Sequence, residues 1–221
     1  MTVDEIKKAI TRAFMIYTQA TRSQAQGLAP TRSLTTGKLY EAYALAAIAE
    51  NLTKRERLRL RLSSGSIVAL KSSHGPINRD FPRIDVYDTA DHRIAEIWTD
   101  VEFLTLSYAG SSPTPGEYHE QDIVMVGVGA TRRPKHDSIW LGAECKHRGY
   151  TKNLLKEILG IRRELSYLQQ PRSTKFAAWP RNTVPANPAS CLIVYSTDPR
   201  VSLYNDPPGR TFGIDFIHEP L

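Results

Sequence analysis

The spacing of apolar residues changes along this chain from helical to alternating and back, and that change limits the fold more than any other feature. Over residues 3–22, Ile6, Ile10, Ala13, Phe14 and Tyr17 recur every three to four positions behind a Thr2–Glu5 capping box, which predicts an amphipathic helix. A Gly/Pro/Thr-rich stretch (26–36) breaks it, and Gly37-Lys-Leu-Tyr-Glu-Ala-Tyr-Ala-Leu-Ala-Ala-Ile-Ala-Glu begins a second helix dense in good helix formers. From Ser66 the period drops to two, so 66–71, 83–87 and 93–107 read as strands. Apolar strand runs follow behind Asp122 and over Ile139-Trp-Leu-Gly-Ala-Glu-Cys-Lys. The helical period then returns over 151–169 with Leu154, Ile158, Ile161, Leu165 and Leu168. Strands at 191–195 and 211–217, separated by an Asn205-Asp-Pro-Pro-Gly turn, complete the pattern. Helices, a series of strands, a helix and strands again bury their apolar faces only by stacking sheet on helix, so the expected class is α/β.

At 221 residues the chain fits one such domain with decorations. Its 41% hydrophobic and 24% charged residues are ordinary for a globular protein. No apolar run reaches the roughly 18 residues of a membrane helix, so no membrane partner is expected. The N-terminus carries early acids rather than a basic tip and an apolar block, which argues against a secretory signal and for a cytoplasmic protein. Two cysteines, Cys145 and Cys191, each inside a predicted strand, suit neither a disulfide framework nor a CxxC metal pair, and read as buried free thiols. A net charge of +6 and a pI near 9.3 suit a polyanionic partner, of which nucleic acid is the commonest. The chain has no Gly-x-Ser-x-Gly elbow, no Walker loop and no His-Glu-x-x-His motif.

One constellation carries chemistry. Alternation along the strand that ends in Glu144-Cys-Lys146 sends Glu144 and Lys146 to one side and Cys145 to the other. Asp122, on a separate apolar strand, can meet Glu144 across the sheet. Two carboxylates and an ammonium are what hydrolysis of a phosphodiester needs: oxygen ligands for a hard divalent cation and a positive group to position or activate water. A Glu-x-Lys tripeptide arises by chance on the order of once in a chain of this size, so its context carries the signal. That context includes Glu41, which shares a helix face with Leu45, Ile48 and Leu52 and is thus carried inward.

Alternatives stay open at this level. Asp80 and Asp85 rival Asp122 as the first carboxylate, and Glu144 with Lys146 also reads as a strand-end ion pair. Glu41 can pair with Lys38. Glu96, Asp100 and Glu102, opposite the apolar Ala95, Ile97, Val101 and Phe103, read as a solvated face. Arg148, Lys152, Lys156 and Arg163, near or on the 151–169 helix, are a candidate phosphate-binding face or a plain solvated one, and His119 reads as incidental.

The ordered set of a helix with Glu41, strands, the Asp122 strand, the Glu144-Cys-Lys146 strand, a helix and a strand resembles the PD-(D/E)XK nuclease superfamily, which includes the restriction endonucleases. The resemblance spans about residues 37–195. Gln121 stands where a proline often precedes the first acid, and Gln169 follows Tyr167 rather than preceding a tyrosine as in the RecB-like branch. The resemblance implies a restriction-endonuclease-like mixed β-sheet flanked by α-helices, with 1–36 an N-terminal helical extension, 37–195 the catalytic core and 196–221 a C-terminal strand extension. It implies Mg²⁺, with Mn²⁺ as a substitute, held by Asp122 and Glu144, supported by Glu41 and by the carbonyl of Cys145, with Lys146 acting on the attacking water. The activity implied is endonucleolytic cleavage, most readily of DNA, by a homodimer or larger assembly in a prokaryotic restriction or antiviral defence setting. The alternative is a non-catalytic nucleic-acid-binding or scaffold protein that keeps the fold.

Overall fold

A computed structural model describes residues 2–29, 36–108, 110, 112–130, 132–172, 175–176, 178–180 and 186–221. Helices α1 (Val3–Tyr17), α2 (Arg22–Leu28) and α3 (Thr36–Lys54) come first, followed by strands β1 (Arg59–Ser63), β2 (Arg83–Tyr87), β3 (Arg93–Leu104), β4 (Tyr118–Gly127) and β5 (Ile139–Lys146). Helix α4 (Lys152–Leu165) leads to β6 (Tyr167–Arg172), β7 (Ala186–Asn187), β8 (Cys191–Ser196), the short α5 (Arg210–Phe212) and β9 (Ile214–His218). The fold is mixed α/β. A seven-stranded sheet runs in the order β1-β2-β3-β4-β5-β8-β9. It is antiparallel from β1 to β5, whereas β8 and β9 join in parallel.

Helices cover both faces of the sheet. On one, α3 is apolar nearly all round and buries nine side chains, among them Leu45, Ile48 and Leu52, as a helix enclosed between layers must. Ile6, Ile10 and Phe14 of α1 join the same core as Ile97, Ile123, Leu141 and Ile193 of the sheet. The apolar stripe of α1 is therefore covered by its own chain, and Val3, Met15 and Ile16 remain exposed. On the other face Leu154, Ile158, Ile161 and Leu165 of α4, spaced four, three and four, pack with Val124, Val126, Leu192, Val194 and Phe216. No described helix is long and apolar enough to cross a membrane.

Several expectations need correction. The first helix stops at Tyr17 because Gln19 takes a left-handed φ of 54°, and α2 starts afresh behind a Thr21–Gln24 capping box and runs to Leu28, into the expected break. The rest of that break, residues 30–35, lies outside the described residues. No strand forms over 66–71: Ile67 makes one backbone bond, to Asp80, instead of a ladder, and Ile67 and Val68 stay exposed. Strands β1, β6 and β7 are not expected from the sequence; the alternation of β1, Arg59-Leu-Arg-Leu, is carried by arginines. Helix α4 ends at Leu165, because Ser166 is extended (φ −168°) and leads into β6, so Gln169 lies in a strand. Thr211 is in α5, and Gly213 (φ 66°) turns the chain into β9 only at Ile214.

The polar face expected on β3 is not solvated: Glu96 and Asp100 are 0% exposed. Glu96 is held by Arg79, Arg93 and the Trp98 indole N–H. Trp98, Val101 and Phe103 enter one apolar cluster, an odd spacing that an unbroken strand forbids. The phase slips at Asp100, whose φ is 53°. A side-chain-bearing residue in that region stores of order 1–3 kcal/mol, which marks Asp100 as a position held there by its surroundings.

Candidate functional site

Register brings the acids together. Asp100 on β3 falls between the pairs Thr99↔Ile123 and Val101↔Gln121, opposite Asp122 on β4. The pair Ile123↔Ala143 sets Asp122 level with Glu144 on β5. Three neighbouring strands thus present three carboxylates in a row, with Lys146 one pleat beyond Glu144. Asp122, Glu144 and Lys146 line a cleft of about 540 Å³ together with His74, His119, Glu120, Lys156 and Glu157.

The contacts are specific. The Cys145 backbone N–H donates to Asp122 Oδ2 at 2.6 Å. Lys146 Nζ donates to Glu144 Oε2 at 2.8 Å and to Glu157 at 3.3 Å. Glu144 Oε1 and Asp100 Oδ2 are buried without a hydrogen-bond partner. Glu41 on α3 is not in the cleft lining, yet its carboxylate interacts electrostatically with Asp122 and Asp100. Lys38, one turn before it, donates to Glu41 at 2.6 Å and also to Asp100. The Lys38–Glu41 pairing foreseen as an alternative therefore exists, and it extends to a second acid, Asp100.

These environments push the carboxyls apart. Burial and the neighbouring Asp122 raise Glu144 far above the usual carboxylate range, and the same two causes push Glu41 up to about 7. Burial acts on Asp122 as well, but His74 and the Cys145 N–H outweigh it and hold Asp122 below its usual value. Lys146, despite its burial, is raised by Glu144 and stays charged. Folding therefore leaves Glu41 and Glu144 holding protons that the unfolded chain releases above about pH 4.5. The folded state binds more protons, so this pair's contribution to stability falls as pH rises from about 4.5 through about 7 for Glu41 and about 8 for Glu144. Asp122 works in the opposite sense, but only in more acid solution. A divalent cation bound by these acids would have to displace those protons, so the gain in melting temperature on adding Mg²⁺ is expected to be larger at pH 8 than at pH 6. Equal gains in paired thermal melts would show that the raised acids do not bind the ion.

The two rival carboxylates lie elsewhere. Asp85 is engaged by Arg83 at 3.0 Å and Arg93 at 3.2 Å, and neither it nor Asp80 lines the cleft. Arg148, Lys152, Lys156 and Arg163 are all exposed, and of the four only Lys156 lines the cleft. The Cys145 thiol is half-buried rather than fully buried, whereas Cys191 is buried.

Two residues of the site escaped the sequence reading. Asp100 was assigned to a solvated face, though its position on a strand flanked by apolar neighbours on both faces was the available signal. His74, in Ser-Ser-His-Gly-Pro, carries none, because tertiary packing alone brings that loop to the sheet. Its Nε2 is 3.3 Å from Asp122 and 3.6 Å from Asp100, and its Nδ1 is 3.2 Å from Glu120. Among the described residues His74, Asp100 and Asp122 are the group that could hold a metal ion, with one donor atom of each within 4.8 Å of the others. Comparison with protein families, curated proteins and solved structures finds no match to this chain.

Proposed function

We propose that this chain is a Mg²⁺-dependent endonuclease of the restriction-endonuclease-like kind, hydrolysing phosphodiester bonds of nucleic acid, with DNA as the favoured substrate. The observation that carries the reading is the row Asp100–Asp122–Glu144 across three strands, of which Asp122 and Glu144 line a cleft with Lys146 and Lys156. The order of α3 with Glu41, β3 to β5, α4 and β8 supports it, since this is the order of elements in the family that the sequence resembles.

The residues fit a hard divalent ion. Glu144 and Glu41, raised by burial and by the neighbouring Asp122, and the buried Glu144 Oε1, which has no hydrogen-bond partner, are the chemistry of a cation's ligand set. Asp122 and Glu144 would hold the ion, with the Cys145 carbonyl and Glu41 in support. When bound it supplies charge neutralisation and a more acidic water. Lys146, fixed between Glu144 and Glu157, orients the attacking water and neutralises charge developing on the phosphate. Lys156, with Lys152, Arg163 and Arg148, binds the flanking phosphates, and two copies related by a twofold axis would cut both strands of a duplex.

Incubating the protein with plasmid and linear DNA in Mg²⁺, Mn²⁺ or EDTA tests the activity, with cleavage expected in the first two. Binding without any cleavage would instead favour a non-catalytic nucleic-acid-binding protein. In the same system Lys156→Ala is expected to weaken binding across all sequences and to lower the slope of log affinity against log salt by about 1. An unchanged slope would remove α4 from the interface.

A further inference from the structure

We propose that His74, Asp100 and Asp122 form a cation site of their own, separate from the Glu144 side of Asp122 and suited to a first-row transition ion such as Mn²⁺. The inference extends the proposed function, because Asp122 is common to both sites, but it requires no nuclease activity.

Four observations on the structure point to it. His74 Nε2 approaches Asp122 Oδ1 at 3.3 Å and Asp100 Oδ1 at 3.6 Å. Donors around one six-coordinate ion with bonds near 2.1 Å lie roughly 3 Å apart, against at most 4.8 Å among these three. Asp100, wholly buried, leaves its second carboxylate oxygen without a partner. Glu120 Oε2 stands 3.2 Å from His74 Nδ1, on the far side of the ring. That is the carboxylate–histidine arrangement that keeps the proton on Nδ1 and aims the Nε2 lone pair at a metal.

The fourth observation is how the histidine is placed. Lys71 Nζ, buried, donates to the carbonyls of Asp100 at 2.7 Å, Pro76 at 3.2 Å and Gly75 at 3.3 Å. The Gly75 N–H donates to the Asp100 carbonyl, and the Gly75 carbonyl accepts from the Glu102 N–H. The loop is stapled to β3 at Asp100, where the backbone takes its left-handed turn. A chance surface histidine has no such support. One imidazole and two carboxylates favour first-row transition ions over Mg²⁺, which keeps to oxygen ligands.

Pulsed electron paramagnetic resonance of Mn²⁺ bound to the wild-type protein, without nucleic acid, provides the test. Nitrogen modulation from one imidazole is expected, and it should vanish in His74→Ala while Mn²⁺ on the Glu144 side stays bound without it. Glu120→Gln, at an exposed carboxylate, should weaken the nitrogen-coupled ion by about 10- to 100-fold. Absence of nitrogen coupling in the saturated wild type overturns the proposal, as does coupling that survives His74→Ala. Should that variant melt as an unfolded chain, an unchanged affinity in Glu120→Gln overturns it instead. Nitrogen coupling without cleavage of DNA would sink only the nuclease reading, and cleavage without coupling only this one.

Discussion

Glu144→Gln is expected to lower the rate of Mg²⁺-dependent cleavage by roughly 10²–10³ while leaving affinity for nucleic acid unchanged or higher. The amide keeps the shape and can still accept from Lys146, so the local packing survives, but it cannot neutralise a divalent ion. Because Glu144 is 4% exposed and its charge is opposed by burial and by Asp122, the variant should melt at or above the wild-type temperature without metal. Loss of activity combined with retained or increased stability separates a site residue from a structural one. Cleavage rates and thermal melts on one preparation decide it, and a variant with full activity removes Glu144 from the chemistry. Asp122→Ala should be equally inactive. If it were not, Asp100 would become the first carboxylate, since Asp85 is committed to two arginines.

Phe14→Ala is expected to cost about 3–5 kcal/mol. Phe14 is fully buried in the core that joins α1 to α3 and the sheet. Against a typical domain stability of about 5–15 kcal/mol this is a large share. The sequence assigned residues 1–36 to an extension, and the variant asks whether α1 is an appendage or part of the cooperative unit. Urea unfolding followed by circular dichroism gives the number, and Met15→Ala, one position along and exposed, should stay within about 0.5 kcal/mol of wild type. A cost below about 1 kcal/mol at Phe14 would mean that α1 unfolds separately from the sheet.

How far the sequence was legible follows from the range of the interactions involved. Strand β2 falls where alternation puts it and β5 where a continuous apolar run does, because their side chains meet one neighbour layer on each face. Asp122, Glu144 and Lys146 reach one cleft because strand parity is a local property. Asp100 was misplaced because one left-handed residue shifts the phase of the strand, and nothing in Trp98-Thr-Asp-Val announces that shift. His74 was beyond reach for a related reason: a lysine ammonium gripping three carbonyls sets its position, and such a contact has no sequence period. The end of α4 was overrun by Leu168 and Gln169, good helix formers that the structure places in β6.

The parallel seam between β5 and β8 has a consequence for the order in which the molecule assembles. Strands β1 to β5 are sequential neighbours paired antiparallel, so each pairs with the strand made just before it. The outer edge of β5, which carries Glu144 and Lys146, finds its partner only at Cys191, after α4 and the β6–β7 ribbon. Closing so long a loop is entropically slow, which places this pairing late in folding. On the ribosome the C-terminal end of β5 is an open strand edge until the last part of the chain emerges, and nascent chains stalled before residue 191 are the species in which aggregation through that edge is expected.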